Sequence, residues 1–557
     1  MNHKQHSQDA KASRVGLTRL FAGIGLVTII AIAAIIIKAV KDRAVLADNS
    51  LTLTVDVGAD RHPISPDIYG MNYYDVTPAF AKELQLPVQR WGGDATSRYN
   101  WQVDSTNAGA DFFFMGGGGK INPVPSGSAD DTIKSNKASG SQTIMTVPML
   151  GYVNKTAAWN CSFPVSRYGQ QQQINPYIHL SNGDRCGNGI STDGKQLIDK
   201  DILSNHIVSN PKFIQSWIKH LISVHGTAAR GGVQFYQMDN EPSGWSNTHR
   251  DVHPQQTGYD ELRDRTYAYA SMVKATDPSA KILGPADFGW PVYVGLDNER
   301  AAHGGTWEAE WYLQQMRTYE QQHGVRILDY FDEHYYPVTG NTPVGDRNTQ
   351  TLRLRSTRSL WDSTYTDEAW FGKYYPPLQL LPRFRQWVSK NYPGTKIAIT
   401  EYNWGGLESM NGALAQADVL GIFGREGLDL ATLWGPPKPT QPGAYAFRMY
   451  RNYDGKGSAY GDTWVRSTST DQGRLAIYGA QRQRDGAITL IIINKTGNDL
   501  TTSLMLKGYK AAAAQVYTYS QANLSAIVHQ PDLVVNANGW NRTYTANSIT
   551  LIVIPKG

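Results

Sequence analysis

Cysteine is scarce in this 557-residue chain: only Cys161 and Cys186 are present. Two cysteines cannot by themselves make a four-ligand zinc site, and His179 is the one histidine near them. In an exported protein they pair as a disulfide that closes a loop of about 25 residues; two free thiols are the alternative. Excess charge is also missing from most of the chain. The net charge is +5, and residues 1–43 supply all of it, with seven Lys and Arg against Asp9 and Asp42. The remainder is neutral, which excludes a nucleic-acid binder that works by neutralising phosphates. Long apolar runs are limited to Leu20–Ile37. No Gly-x-Ser-x-Gly nucleophile motif occurs, and Gly116–Gly119 is followed by no Lys-Ser/Thr, so a phosphate loop is excluded in favour of a surface loop. With 41% hydrophobic residues, the chain can build a core and is not a disordered polymer.

Aromatics, by contrast, are plentiful: 15 Trp, 31 Tyr and 14 Phe. Trp and Tyr combine a flat apolar face with a polar tip, which suits sugar-binding clefts; a large aromatic core is the other reading.

The apolar run of 20–37 would span roughly 27 Å as a helix, close to a bilayer's hydrocarbon thickness. Basic residues on both sides favour an uncleaved transmembrane anchor behind a cytoplasmic basic tail (1–19). A signal peptide cut near Val45-Leu46-Ala47 is the alternative. Either way the rest of the chain is exported, anchored facing outside the cytoplasm or secreted. A linker (38–50) follows.

Leu51, Leu53, Val55 and Val57 alternate with polar residues, the period of a half-buried strand. Eight short apolar runs then alternate with helical segments: 67–74, 88–92, 143–150, 233–241, 281–287, 328–336, 396–404 and 428–434. The clearest helix is 210–226. Asn210 can cap it, Pro211 suits its first turn, Phe213, Ile214, Trp217, Ile218, Leu221 and Ile222 recur at helical spacing, and Gly226 stops it. Eight strand–helix units predict an α/β fold, a (β/α)8 TIM barrel over residues 64–465. Residues 105–140 read as a long irregular insert. From about residue 466 short strands (474–480, 487–494, 501–507, 514–519, 548–554) predict a C-terminal β-sandwich, which the strand within 51–63 joins.

In such a barrel, polar residues at the C-terminal strand ends converge on one face. Those ends hold Asn72, Arg90, Trp91, Asp239, Asn240, Glu241, Asp287, His334, Tyr335, Tyr336, Glu401, Tyr402, Trp404 and Trp434. Glu241 and Glu401 stand out. Two carboxylates in one aromatic cleft are what glycosidic-bond cleavage requires: one protonated for the leaving oxygen, one ionised for attack. Glu241 is the expected acid/base, with Asn240 on the substrate 2-hydroxyl. Glu401 is the expected nucleophile, oriented by Tyr335 and kept ionised by Arg90. Trp91, Trp101, Trp245, Trp404 and Trp434 are candidate sugar platforms, about half of them expected in the core. His249 and His253 have the spacing of half a zinc-protease motif but lack its Glu. Arg353, Arg355 and Arg358 read as a solvated face.

Four blocks, Arg90-Trp91-Gly92-Gly93-Asp94-Ala95-Thr96-Ser97-Arg98-Tyr99-Asn100-Trp101, Asp239-Asn240-Glu241-Pro242, Asp329 to Pro337 and Thr400-Glu401-Tyr402-Asn403-Trp404-Gly405, resemble glycoside hydrolase family 44 over roughly residues 51–557. The resemblance implies a barrel plus β-sandwich, retaining endo-hydrolysis of β-1,4-glucans (cellulose-type chains or xyloglucan), and Glu241 and Glu401 as the catalytic pair. It implies no cofactor for catalysis. Family members can hold a structural calcium, for which no ligands are assigned here. Arg90, Trp91, Asn240, His334, Tyr335, Tyr336, Trp404 and Trp434 are the expected substrate-binding set. The expected partners are a glucan chain and, through the N-terminal helix, a membrane; the expected state is a monomer. An exo-acting arabinofuranosidase-like enzyme and a non-catalytic carbohydrate-binding protein are the competing readings.

Overall fold

A computed structural model of the chain describes residues 51–557, apart from 75, 118–126, 338–344, 376, 512 and 537–538. The basic tail, the apolar run and the linker lie outside the described residues. Among the described residues no helix is long and apolar enough to cross a membrane.

Eight parallel strands close into a barrel: Gly70–Asn72, Val88–Trp91, Gln142–Val147, Phe235–Met238, Lys281–Phe288, Tyr330–His334, Lys396–Tyr402 and Leu430–Leu433. They are called the first to eighth barrel strands below. Thr432 and Leu433 pair with Gly70 and Met71 and so close the ring. Each strand falls within one of the eight runs read from the sequence or overlaps it by all but one residue. The helix Pro211–His225 is where expected: the Asn210 side chain accepts from the Phe213 N–H at 3.0 Å, and Ile214, Trp217, Ile218 and Leu221 are buried, while Phe213 and Ile222 flank that face half-buried.

Strand alternation layers the barrel interior. Val88, Ile144, Phe235, Leu283, Tyr330, Ala398 and Leu430 form one apolar layer. Two residues further along their strands stand Arg90, Thr146, Gln237, Asp332, Thr400 and Thr432, all buried and polar. A strand's period of two puts both sets on the same inner face. The polar layer is hydrogen-bonded across the barrel. Gln237 donates to Asp332 at 2.7 Å and to Thr400 at 2.6 Å, and Thr400 donates through its hydroxyl to Asp332 at 2.8 Å. Full pairing makes this burial tolerable.

Among its described residues the insert of 105–140 holds regular structure that was not expected. It contains a helix, Gly127–Ser139, whose buried positions include only two apolar residues, Ala129 and Ile133, alongside Asp130 and Asn136. So narrow an apolar stripe gives little periodic signal.

After the barrel a β-rich unit follows. Thr52–Asp56 lies in its sheet, antiparallel to Thr463–Ser469 and parallel to Leu500–Lys507. Side chains from Leu53, Val465, Ile477, Leu490, Leu504, Val516, Trp540 and Ile552 meet in one core, so the sheet folds over on itself. Its central strand Ile488–Asn494 is buried at every position. Ile488, Leu490 and Ile492 face that core, while Ile491 and Ile493 join the core of the barrel side. Burial on both faces explains the unbroken apolar run. Three strands escaped the sequence reading wholly or in part: Thr463–Ser469, Asn523–Val534 and Trp540–Tyr544. Asn523–Val534 and Trp540–Tyr544 are the two edge strands, and the former carries Pro531, a residue that only an edge position tolerates well. Between the two units Asp418 is buried and accepts from Lys495 at 2.6 Å, Tyr478 at 2.7 Å and Thr357 at 2.7 Å.

Candidate active site

Glu241 follows the fourth barrel strand in a tight turn. Asp239 and Glu241 both have positive φ, 63° and 45°. Left-handed backbone costs about 1–3 kcal/mol at such residues, and the surroundings must hold it in place. They do: the Glu241 N–H donates to the Ala286 carbonyl at 2.9 Å, the Trp245 indole N–H donates to the Asn240 carbonyl at 3.1 Å, and the Ser243 hydroxyl donates to Asp287 at 2.6 Å. Glu401 lies in the seventh strand, where the pairing with the eighth slips between Ile399 and Tyr402. A slip of this kind re-aims a side chain. Thr400 points into the polar layer, and the next residue, Glu401, also reaches the barrel mouth.

The two carboxylates meet there. One oxygen of Glu241, one ring nitrogen of His334 and one oxygen of Glu401 lie within 4.8 Å of one another. Glu241 is the more open of the two, its side chain 21% exposed against 6% for Glu401. Arg90, wholly buried, donates to Glu401 at 2.6 Å, to Asn72 at 3.0 Å, to Gln237 at 2.6 Å and to Asn240 at 2.7 Å. The Tyr336 hydroxyl donates to the other Glu401 oxygen at 2.7 Å. Two glycines make room for this. A Cβ on Gly92 would lie 2.4 Å from the Arg90 guanidinium carbon, and one on Gly93, at φ +102°, would lie 2.7 Å from the Trp434 ring.

The environments push the two carboxyls apart. Burial, then the Glu401 charge and Asp287, raise Glu241 well above the usual carboxylate range. Burial alone would raise Glu401 too, but His334, Arg90 and the Tyr336 hydrogen bond outweigh it and hold it below that range. Burial lowers His334 against the pull of the Glu401 charge, which favours the neutral ring while Glu241 holds its proton and the cationic ring once Glu241 has given it up. The Thr400 hydroxyl proton is committed to Asp332, so Thr400 can only accept from His334 Nε2, 3.2 Å away. That leaves the His334 Nδ1 lone pair facing Glu241, 2.9 Å away, ready to accept the proton of a protonated Glu241. The surroundings thus favour a proton on Glu241 and ionisation of Glu401 beside it.

Several expectations need correction. Tyr335 does not orient Glu401: it is buried and donates to Asp367 at 3.1 Å, and its neighbour Tyr336 takes the role. Strand alternation explains the exchange, because consecutive residues point to opposite faces. Trp91 is no platform. It is 1% exposed and packs against Tyr99 and Trp217. Trp404 is equally buried and donates to Ser356 at 3.2 Å, and Trp245 is in the core. Trp434 is half-buried against Tyr74, and Trp101 packs on Phe213 and His220. Asn240 donates one amide N–H to Asp94 at 2.6 Å and accepts from Arg90 at 2.7 Å, which fixes the side chain beside Glu241. Arg353 is buried, donating to the Trp404 carbonyl at 2.8 Å, while Arg355 and Arg358 pair with Glu368 and Asp362. His253 faces Glu261 at 2.9 Å, and His249 is buried in no metal-like group.

Sequence reasoning missed Asp94, which Asn240 touches and which burial and the Glu241 charge raise well above the carboxylate range. It also missed the exposed rings. Tyr74, Trp159, Tyr177, Phe288, Trp370 and Tyr374 are the exposed aromatics among the described residues. Every one falls in, or at the start of, a segment that leads out of a barrel strand toward the following barrel helix. Nothing in local composition separates them from core aromatics. The cysteines do form a disulfide, Cys161 to Cys186, in the segment after the third strand.

As to metals, Glu241, His334 and Glu401 are the only group of three such side chains at ligand spacing among the described residues. Arg90 already supplies positive charge to Glu401, which disfavours a cation there. No separate ligand set for a calcium emerges from the described residues.

A closed parallel barrel whose mouth holds two carboxyls, one raised and one lowered by its surroundings, has the arrangement of a glycoside hydrolase. Comparison with known proteins carries this further. The model of glycoside hydrolase family 44 matches residues 105–339. A relative named endoglucanase A, from Paenibacillus lautus, is 30% identical over 528 residues, covering 90% of this chain and 71% of its own. The crystal structure of CelM2, described as a bifunctional glucanase-xylanase from a metagenome library, has a TM-score of 0.87 at 39% identity and covers 92% of this chain and 100% of that one. A Paenibacillus polymyxa xyloglucanase of the same family has a TM-score of 0.77 at 28% identity, covering 91% of this chain and 99% of that one. The chain belongs to glycoside hydrolase family 44 and is an endo-acting glycoside hydrolase.

Proposed function

We propose that the enzyme cleaves β-1,4-glucan chains, cellulose-type or xyloglucan, by double displacement, with Glu401 as nucleophile and Glu241 as acid/base. The observation that carries this reading is the pairing of a carboxyl raised by its surroundings with one held ionised less than 5 Å away. Retaining enzymes set their carboxyls about 5–5.5 Å apart, whereas inverting ones need about 6.5–9.5 Å to admit a water.

In the first step a Glu401 oxygen attacks the anomeric carbon and forms a glycosyl ester. The bond to the leaving oxygen breaks, and that oxygen takes the proton from Glu241. The Glu241 carboxylate then draws a proton from an incoming water, whose oxygen attacks the same carbon and releases Glu401. Arg90 and Tyr336 hold Glu401 ionised before attack, and the same two donors stabilise it as it departs. His334 Nδ1 keeps the Glu241 proton oriented between turnovers. Tyr74 and Trp434, whose rings meet edge to face at 5.3 Å beside the mouth, offer flat faces to the sugar chain. The names of the relatives, endoglucanase and xyloglucanase, agree with this substrate class. No cofactor takes part.

Reducing-sugar release from carboxymethylcellulose and xyloglucan, followed by chromatography of the products, tests the reading. Oligosaccharides of mixed length are expected. Release of single sugars only would overturn endo action, and no release from any β-glucan would overturn the substrate class. We also propose that the protein works outside the cytoplasm, where its disulfide persists, with residues 20–37 as anchor or cleaved signal. N-terminal sequencing of the mature protein separates the two.

A further inference from the structure

A second open pocket, about 450 Å³ in volume, lies at the seam between barrel and sheet. That falls within the roughly 300–1,000 Å³ of ordinary ligand sites. Its barrel wall is Tyr445 and Arg448 on the helix Pro442–Arg451 and the loop beyond its C-terminus, together with Glu83 at the end of the helix Pro78–Glu83. Helices of such a barrel run back against their strands, so these ends lie away from the mouth that holds Glu241 and Glu401. The pocket is therefore separate from the catalytic groove.

The lining is aromatic and polar together. Tyr517, on the sheet, has ring contacts with Tyr453 at 4.8 Å and with His529 at 4.7 Å. Tyr445 stacks on Tyr519 at 4.7 Å with 7° between the rings, which braces the wall, and its hydroxyl donates to the Ser525 carbonyl of the edge strand at 2.6 Å. The charges balance. Glu83 and Asp454 stand against Arg448 and Lys456, and Arg448 grips both Glu83 oxygens at 2.6 and 3.1 Å. A pocket for a phosphate, an acidic polymer or a cation would carry a surplus of one sign. Balanced charge, rings and a fixed set of polar groups match a neutral polyhydroxyl ligand, which stacks its C–H faces and exchanges hydrogen bonds at its rim.

We propose that this seam pocket is a second binding site for the neutral glucan chain, one that holds the polymer while the groove cuts it. The inference rests on the glucanase reading above. Its test uses the full-length enzyme in gels cast with xyloglucan or hydroxyethylcellulose, with Glu401→Gln as the parent so that the polymer is not consumed. Adding Tyr517→Ala is expected to raise the dissociation constant for the polymer about three- to tenfold, the range of an aromatic contact. With Glu401 intact, Tyr517→Ala should leave the hydrolysis of a short aryl cello-oligosaccharide unchanged and slow the hydrolysis of long chains. His529→Ala, at an exposed position, gives the same reading should Tyr517→Ala fail to fold. If the enzyme hydrolyses glucans and both folded variants are retarded as strongly as the parent, the second site does not exist. If the unmodified enzyme hydrolyses no glucan, the glucanase reading itself fails and takes this inference with it.

Discussion

Replacing Tyr336 by Phe removes one hydroxyl from the surroundings of the ionised carboxylate and leaves its ring in place. That hydroxyl lies 2.7 Å from Glu401, whose side chain is 6% exposed, so water cannot easily replace it. A hydrogen bond to a charged group is worth about 1.5–3 kcal/mol, and one pKa unit is about 1.36 kcal/mol. The variant should therefore raise Glu401 by about 1–2 units. Glu401 works as the carboxylate, so activity is present above its pKa and lost as pH falls through it. The acid limb of the profile must then move to higher pH by about 1–2 units, against the Arg90 and His334 effects that remain. The assay is kcat/KM on an aryl β-cellobioside across the acid range, where the good leaving group makes the Glu241 proton nearly irrelevant. Tyr335→Phe is the control, since its hydroxyl serves Asp367. An unmoved acid limb in Tyr336→Phe, or a moved one in Tyr335→Phe, would refute the reasoning.

Three other outcomes follow from the geometry. Glu241→Ala should lose about 10²–10⁴ in rate on unactivated glucans and far less on activated aryl glycosides, since only the former need the proton; parallel initial rates check it. Lys495→Met leaves the buried Asp418 with only its two hydroxyl donors, and should cost about 3 kcal/mol or more in denaturant unfolding, without changing KM. Cys161→Ala with Cys186→Ala opens a loop of 25 residues and should cost about 3.5 kcal/mol by loop entropy, read as earlier proteolytic nicking of the segment after the third strand.

The parts of the fold legible from sequence were those with a strong period or a strong stop. Barrel strands announced themselves as short apolar runs ending in polar residues, and Asn210 and Gly226 bracketed their helix. Glu241 and Glu401 were legible because strand ends converge in a barrel whatever their separation in the chain. What escaped was anything set by a one-residue choice of face. Tyr335 and Tyr336 are neighbours of one chemistry, and only the register of the sixth strand decides which reaches Glu401. Trp91 and Trp434 likewise both end strands, yet one fills the core and the other borders the mouth. Arg353 looked solvated because three arginines clustered, although its guanidinium spans to the Trp404 carbonyl and Asn411. Edge strands and a helix with two buried apolar residues left almost no pattern to find.

Covalent trapping tests the account most directly. Incubation with a 2-deoxy-2-fluoro cello-oligosaccharyl fluoride slows ester hydrolysis, so a glycosyl-enzyme accumulates if one forms. Peptide mapping should then find a single sugar label on Glu401, and none in Glu401→Gln. A label on any other residue, or no label while the reagent is turned over with inversion at the anomeric carbon, would contradict it.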